Sequence, residues 1–487
     1  MNRLKTLRTL MMGLMAVGAL TSCATDDDIT DLQQEINKLK QQIGEGGSAT
    51  PMIKLTGGEA GQTELSLFPG ETLTVKVETE KGITDLAAST TDTDWRVLCD
   101  EEKGELLITA PLIVRDTPAK VFVSGANAKG VMYRAGIVCR MRSYADPKAV
   151  LILNEGQVGT GEMGSMIYVN PKGDAIAYPF HAINGTDLGV ASQDMSRCGD
   201  KIYVIAQGEY GKNSGSLFEI DANTLRLVRT YTSEISEAQN PTHLLAYDAE
   251  HIYIRHEHGI ACYDSKMDLY VPVADSKGAL KHPLLQVGGK VFFTTNDALC
   301  AIEVGEKTFD KVAKRITFPG KVSGMAKADD KHLYVSYGIE GEGVIALVNV
   351  ESYEVEKSHT LPFAEGGSAL QIAWASTSTI TAKGDTIYFG EGKNSIYRHL
   401  FSTGATKEMW SYKTVNPEHR ESYQTPAVHP VTGLVYYATL KGWGSAYTTN
   451  TIYVLDLKGD EAKLVNRIDN LVRFPAGYFF PYAEDKK

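Results

Sequence analysis

The sequence predicts an all-β protein: a seven-bladed β-propeller preceded by a small immunoglobulin-like β-sandwich and a short helical stalk. Three observations carry this. One strand unit recurs through residues 146–487 with a period of roughly 40–50 residues, the spacing of four-stranded propeller blades. Each copy opens with a Gly/Asp turn running into a β-branched and aromatic strand, as in Gly199-Asp200-Lys201-Ile202-Tyr203-Val204 and Gly384-Asp385-Thr386-Ile387-Tyr388-Phe389. The chain then ends in an orphan strand, Pro475-Ala476-Gly477-Tyr478-Phe479-Phe480, which supplies what the first copy lacks.

At 487 residues, with 43% hydrophobic and 22% charged residues, the chain has the length of two or three soluble domains. Its 46 glycines and 24 tyrosines suit many short strands joined by tight turns. The formal net charge is −11, the wrong sign for a protein that grips nucleic-acid phosphates, so nucleic acid is excluded as a partner.

Residues 1–23 read as an address. Arg3, Lys5 and Arg8 precede an apolar run from Leu10 to Leu20 that is too short for a membrane span. Leu20-Thr21-Ser22-Cys23 resembles the lipobox of bacterial lipoproteins, which implies acylation of Cys23. Several acyl chains at about 0.8 kcal/mol per buried CH₂ would hold the protein at a membrane. Asp26-Asp27-Asp28 resembles the acidic tag of Bacteroidetes lipoproteins exported to the cell surface, which implies lipid-anchored display on the outer membrane.

Residues 24–50 carry this tag and a stalk. Ile29, Leu32, Ile36, Leu39 and Ile43 form an a/d stripe of two heptads, short for a coiled coil, and Gly44 to Ser48 break it. Residues 51–145 then show alternating stretches, Glu64–Phe68, Thr72–Val77, Leu106–Thr109, Ala119–Ser124 and Tyr133–Arg140, separated by Pro69-Gly70, Lys81-Gly82 and Lys103-Gly104. That is the pattern of a small sandwich. The run from Trp95 through Gly104-Glu105-Leu106-Leu107-Ile108-Thr109 resembles immunoglobulin-like modules of Bacteroidetes surface lipoproteins. Cys99 and Cys139 are the one pair in it, and spacing alone leaves open whether they bond.

In residues 146–487 an inner strand precedes each main strand, as His243-Leu244-Leu245-Ala246 and Ala427-Val428-His429 do. The first copy, from Ala149, has none, so the orphan strand from Pro475 is expected beside it, closing the ring and removing a sheet edge. The opening of this region is distinctive: Leu153-Asn154-Glu155-Gly156, Gly161-Glu162-Met163-Gly164-Ser165, Asn184-Gly185-Thr186-Asp187-Leu188-Gly189 and Gln193-Asp194-Met195. It resembles the YncE-like seven-bladed propellers of Bacteroidetes surface lipoproteins, the group containing the BtuG-type cobalamin-capture proteins. The resemblance implies capture of a corrinoid-like nutrient on one face and its transfer to a TonB-dependent transporter.

No catalytic or metal signature emerges, and no cofactor is expected. His256-Glu257-His258 offers two imidazoles where zinc wants three or four ligands. Glu340-Gly341-Glu342-Gly343 has too few ligands for calcium, and no serine sits in a nucleophile elbow. Binding residues are expected where second-to-third-strand loops and blade-to-blade connections share a face. The loops offer Tyr210, Asn213, Lys441, Trp443 and Tyr447; the connections offer His243, Trp374, His419, Arg420, Tyr423, Gln424 and Arg473. Tyr, Trp and Arg anchor interfaces at little entropic cost, and this set suits a corrin, another tetrapyrrole or a glycan. The competing classes are a glycan- or host-binding adhesin and a propeller lyase or lactonase.

Overall fold

A computed structural model describes residues 53–57, 64–209, 215–361, 370, 377–391 and 394–481. The expected signal segment with Cys23, the acidic tag and the stalk lie outside these residues, as do Tyr210, Asn213 and Trp374. Among the described residues no helix is long and apolar enough to cross a membrane.

Two four-stranded sheets come first. One pairs Ile53–Thr56, Thr72–Thr79, Glu105–Thr109 and Arg96–Asp100; the other pairs Glu64–Leu67, Met132–Met141, Ala119–Asn127 and Ile83–Thr90. Glu64–Leu67 runs parallel to Met132–Met141, with Leu65 opposite Cys139, while the other pairs are antiparallel. Alternation sends Val75, Val77, Leu106, Ile108, Val121 and Val123 inward around Trp95, giving the sandwich its core. Cys99 and Cys139 are free, and burial pushes the Cys139 thiol up to about 12. Three strands escaped the alternation pattern. Ile83–Thr90 is the instructive one: Asp85 holds a positive φ of 58° and the pairing slips between Thr84 and Ala87, so a bulge scrambles its period.

Residues 150–479 then form seven four-stranded antiparallel sheets among the described residues. Blade 1 is the seam: Pro475–Phe479 lies innermost, followed by Val150–Asn154, Ser165–Val169 and Ala175–Ala177. Blades 2 to 7 run in chain order from inner strands beginning at Ser192, His243, Leu285, Lys321, Ile380 and Glu421. Seven apolar clusters fill the interfaces between successive blades, including blade 7 against blade 1. Middle strands such as Val150–Asn154 and Val435–Leu440 are buried throughout, whereas outer ones such as Val355–Thr360 face water with Glu and Lys. A strand buried on both faces reads as a continuous apolar run, which is why these strands were legible. Charge on the outermost strands blunts the remaining edges.

Tight turns join third to fourth strands, and that of blade 2 reads Asp221-Ala222-Asn223-Thr224. In blade 2 Asp221 Oδ1 accepts from the Asn223 and Thr224 amides at 3.0 and 2.8 Å and from Thr224 Oγ1 at 2.7 Å, a side chain standing in for a backbone turn. These turns define one face, and the sandwich docks there. The Tyr144 amide donates to Asn223 O at 3.0 Å, Tyr144 Oη donates to Leu112 O at 2.8 Å, and Lys172 pairs with buried Glu71. The opposite face, carrying the second-to-third loops and the blade-to-blade connections, is therefore clear of the sandwich.

Candidate functional site

On that clear face, four inner strands begin with a register slip: at Ser192/Asp194, Val322/Gly324, Tyr423/Ala427 and Pro475/Gly477. Bulges re-aim side chains and gather beside functional sites. Gln424 and Phe474 hold φ at 72° and 57°, left-handed values that cost a non-glycine residue roughly 1–2 kcal/mol. Phe474 stands where the chain turns from a connection into the ring, and Gln424 sits in the slip within the inner strand Glu421–Val428.

Phe474 gathers the aromatic residues. Its ring lies 4.5 Å from Tyr447 at 22°, 6.1 Å from Trp443 at 16° and 5.4 Å from Tyr423 at 53°. Trp443 remains 49% exposed, and Val158, Met163 and Tyr178 are exposed nearby in chain and fold. Two carboxylates underpin the rings. Tyr447 Oη donates to Glu162 Oε2 at 2.7 Å, with Arg473 Nε 3.4 Å from Glu162 Oε1; Tyr423 Oη donates to Glu155 Oε1 at 2.9 Å. The loop from 155 to 164 folds back so tightly that a Cβ at Gly156 would meet Glu162 O at 2.4 Å, and its φ is +75°; glycine is required there. The seam strand fixes the rest, since the Glu155 amide donates to Phe474 O at 2.8 Å and the Arg473 amide to Asn154 Oδ1 at 3.0 Å.

Glu155 is the electrostatic centre. The walls of the mouth desolvate its carboxyl and push it up to about 7, against the opposing pull of hydrogen bonds from Tyr423 and Gln193 and the field of Lys281. At neutral pH it thus exchanges between acceptor and donor. The Tyr423 hydroxyl is driven well above its usual range, first by burial and then by Glu155. On the inner strand of blade 2, Asp194 Oδ2 lies 3.2 Å from His243 Nδ1 and accepts from the Leu244 amide at 3.0 Å.

Of the residues expected from sequence, Tyr423, Trp443, Tyr447 and Arg473 come together around Phe474. Lys441 stands at the rim in an ion pair with Glu418 at 3.1 Å, and Arg420 is exposed beside it. Gln424 and His243 are buried in the wall of the mouth. His419 is buried with Nδ1 2.7 Å from Thr439 Oγ1, a position that braces the loop. Sequence reasoning missed Phe474, Glu155, Glu162, Gln193 and Lys281. Glu155, Glu162 and Gln193 stand in the distinctive opening motif, so the signal was present there without a role attached. His256 and His258 have ring centroids 5.9 Å apart, and His258 Nε2 lies 3.1 Å from Gln239 Oε1. Among the described residues no three His, Cys, Asp or Glu side chains gather as metal ligands do.

Four-stranded sheets ranged around one axis, with a built face at the loop end, define a β-propeller. The chain belongs to the family described as a domain of unknown function, DUF5074, which matches residues 148–481. A quinonprotein alcohol dehydrogenase-like protein from Bacteroides thetaiotaomicron is 14% identical with a TM-score of 0.52, covering 86% of this chain and 96% of its own; it shares the fold. Virginiamycin B lyase from Staphylococcus aureus (14% identity, 73% and 96% covered, TM-score 0.39) and BamB from Moraxella catarrhalis (11%, 80% and 91%, 0.35) are more distant. Comparison with curated proteins finds no match.

Proposed function

We propose that this protein is a non-catalytic receptor, held at the outer-membrane surface by lipid on Cys23, that captures a small nutrient for a TonB-dependent transporter. The observation that carries this reading is the aromatic platform of Tyr447, Phe474, Trp443 and Tyr423 set over Glu155 and Glu162. Rigid rings give a large contact area at low entropic cost, and a carboxyl poised near neutrality can face an amide as donor or acceptor. A corrinoid, flat and rich in amides, fits that chemistry and accords with the resemblance of the propeller's opening residues to the YncE-like group.

A second reading is a surface glycan binder. One observation favours it: the platform lies on the face opposite the sandwich, so a chain anchored through its N-terminal side would present it outward.

The test is calorimetric titration of the chain from Ala24 onward with cyanocobalamin. The corrinoid reading expects a dissociation constant in the nanomolar range, weakened tenfold or more in Trp443→Ala, since a central aromatic anchor contributes about 2 kcal/mol or more. No heat at high micromolar ligand would overturn it. Binding of an oligosaccharide in its place, lost in the same variant, would establish the second.

A further inference from the structure

Opposite the aromatic platform the mouth is basic, and among the described residues its buried Arg255 has no ion-pair partner. Arg255 is buried, on a strand where its cross-strand neighbour is His243, so the two side chains leave the same face of the sheet. Among the described residues its guanidinium donates to neutral groups only: Nε and Nη2 to Ala279 O at 3.2 and 3.0 Å, and Nη1 to Thr242 Oγ1 at 3.3 Å. Five N–H groups are available, so two remain. The acid whose field reaches it, Glu257, lies outside pairing distance and accepts from Asn240 at 2.5 Å. A buried cation without an anion is costly, as burial of an unpaired charge is in proteins generally.

His243 adds a second unsatisfied group. Its Nδ1 faces Asp194, while Nε2 is buried with no hydrogen-bond partner among the described residues. His282 is buried too, with Nδ1 2.7 Å from Thr294 Oγ1. Burial, then the fields of His243, Arg255 and Lys321, hold the His282 imidazole down at about 3. The four groups therefore share one electrostatic neighbourhood. On the same face Lys321, with Asn296, Asp297, Phe318, Pro319 and Gly320, lines an open depression of about 520 Å³.

We infer that this side of the mouth is an anion subsite, in which His243, Arg255 and His282, with Lys321 at its rim, receive the carboxylate or phosphate group of the ligand. The inference rests on the reading that this face binds, and it deepens it: the ligand carries an acidic group as well as an apolar ring system. An anion would complete the two spare Arg255 donors, beside the unpartnered His243 Nε2. The acids of the neighbourhood do not fill this role. Asp194 is committed to His243 Nδ1 and the Leu244 amide, Asp297 to Arg315, and Glu155 to Tyr423.

The experiment is thermal unfolding of the whole chain, purified in detergent, against inorganic phosphate and against benzoate, at ionic strength held constant with sodium chloride. A ligand that binds only the folded state raises the midpoint saturably by mass action. Phosphate is expected to raise it saturably in the millimolar range, and benzoate, which also offers a ring, at least tenfold more tightly. Lys321→Glu, an exposed change that leaves the fold intact, and His243→Gln should each weaken the phosphate response tenfold or more, whereas Trp443→Ala should weaken benzoate alone. A response no larger than that to sodium chloride, or one indifferent to both Lys321→Glu and His243→Gln, would overturn the subsite. Equal affinity for phosphate and benzoate would overturn the claim that the acidic group and the ring belong to one ligand. A phosphate response alongside silent cyanocobalamin titrations would sink the corrinoid reading and leave the subsite standing.

Discussion

At the scale of single residues, Glu155 links the fold to the site through its proton. Its carboxyl is raised from 4.5 to about 7 in the folded protein, so the folded state holds the proton more tightly than the unfolded chain. Stability from this group is present in full below pH 4.5, falls as pH rises through 7, and is gone above it. Glu155→Gln keeps an oxygen for Tyr423 and removes the titration. The variant should match the wild type near pH 4.5 and exceed it at pH 8 by about 3 kcal/mol, read from urea denaturation at several pH values. A constant difference across that range would mean the carboxyl is not desolvated. Such a stabilising change at a site residue is what a strained binding mouth predicts. The same logic explains why the site was only half legible in the sequence. Trp443, Tyr447 and Arg473 were visible as ring- and fork-bearing side chains on the right loops, whereas Tyr423, expected on a connection, lies within the inner strand Glu421–Val428. Phe474 was not, because its role comes from a left-handed backbone at the entry to the closing strand, which no residue pattern announces. Lys281 was missed for a different reason: its field reaches Glu155 only because the folded ring brings their two blades together.

At the scale of elements, the closing strand is held by a few specific bonds. Asn154 is fully buried; its Nδ2 lies 3.2 Å from Ser165 Oγ and its Oδ1 accepts from the Arg473 amide. Asn154→Ala leaves that amide without its acceptor, so it should cost about 1–3 kcal/mol. Tyr478 sits on the partner strand opposite Ile152, with a buried hydroxyl that has no hydrogen-bond partner. Tyr478→Phe should therefore be neutral or slightly stabilising in the same denaturation series, since no bond is lost and an uncompensated hydroxyl is removed. A large loss for Tyr478→Phe would reveal a bridging water at the seam. The seam itself was legible because the missing inner strand of the first copy and the surplus strand at the end are two halves of one count. The helix Pro179–Asn184 was not, being six residues long and too short to display a period. The bulged inner-strand starts escaped for the same physical reason as the bulge in Ile83–Thr90: an inserted residue flips the alternation that identifies a strand.

At the scale of the whole molecule, the blade interfaces bury imidazoles, and these set the acid limit of the fold. Burial, the largest cause in each case, lowers His282 to about 3 and His256 and His399 to about 4 from an ordinary value of 6.5. A histidine whose folded pKa is depressed contributes stability that is complete above 6.5 and lost as pH falls toward the folded value. Glu155 works in the opposite sense across nearly the same interval, but it is one group against three. Together the three histidines outweigh it by several kcal/mol, since each tenfold change in proton affinity is worth about 1.4 kcal/mol, and whole domains are stable by only about 5–15 kcal/mol. The unfolding midpoint should therefore drop steeply between pH 6 and 4, before the depressed carboxylates of Asp248 and Asp329 begin to protonate. His399 offers a check away from the candidate site, because it lies between blades with Nδ1 2.8 Å from Thr406 Oγ1 and Nε2 3.1 Å from His359 Nδ1. His399→Gln removes one titrating group, so it should lower stability at pH 7.5 yet reduce the slope between pH 6 and 4. Thermal scans across that range decide the matter: a slope unchanged in His399→Gln would show that the acid limit comes from carboxylates, and that the blade interfaces tolerate a charged imidazole.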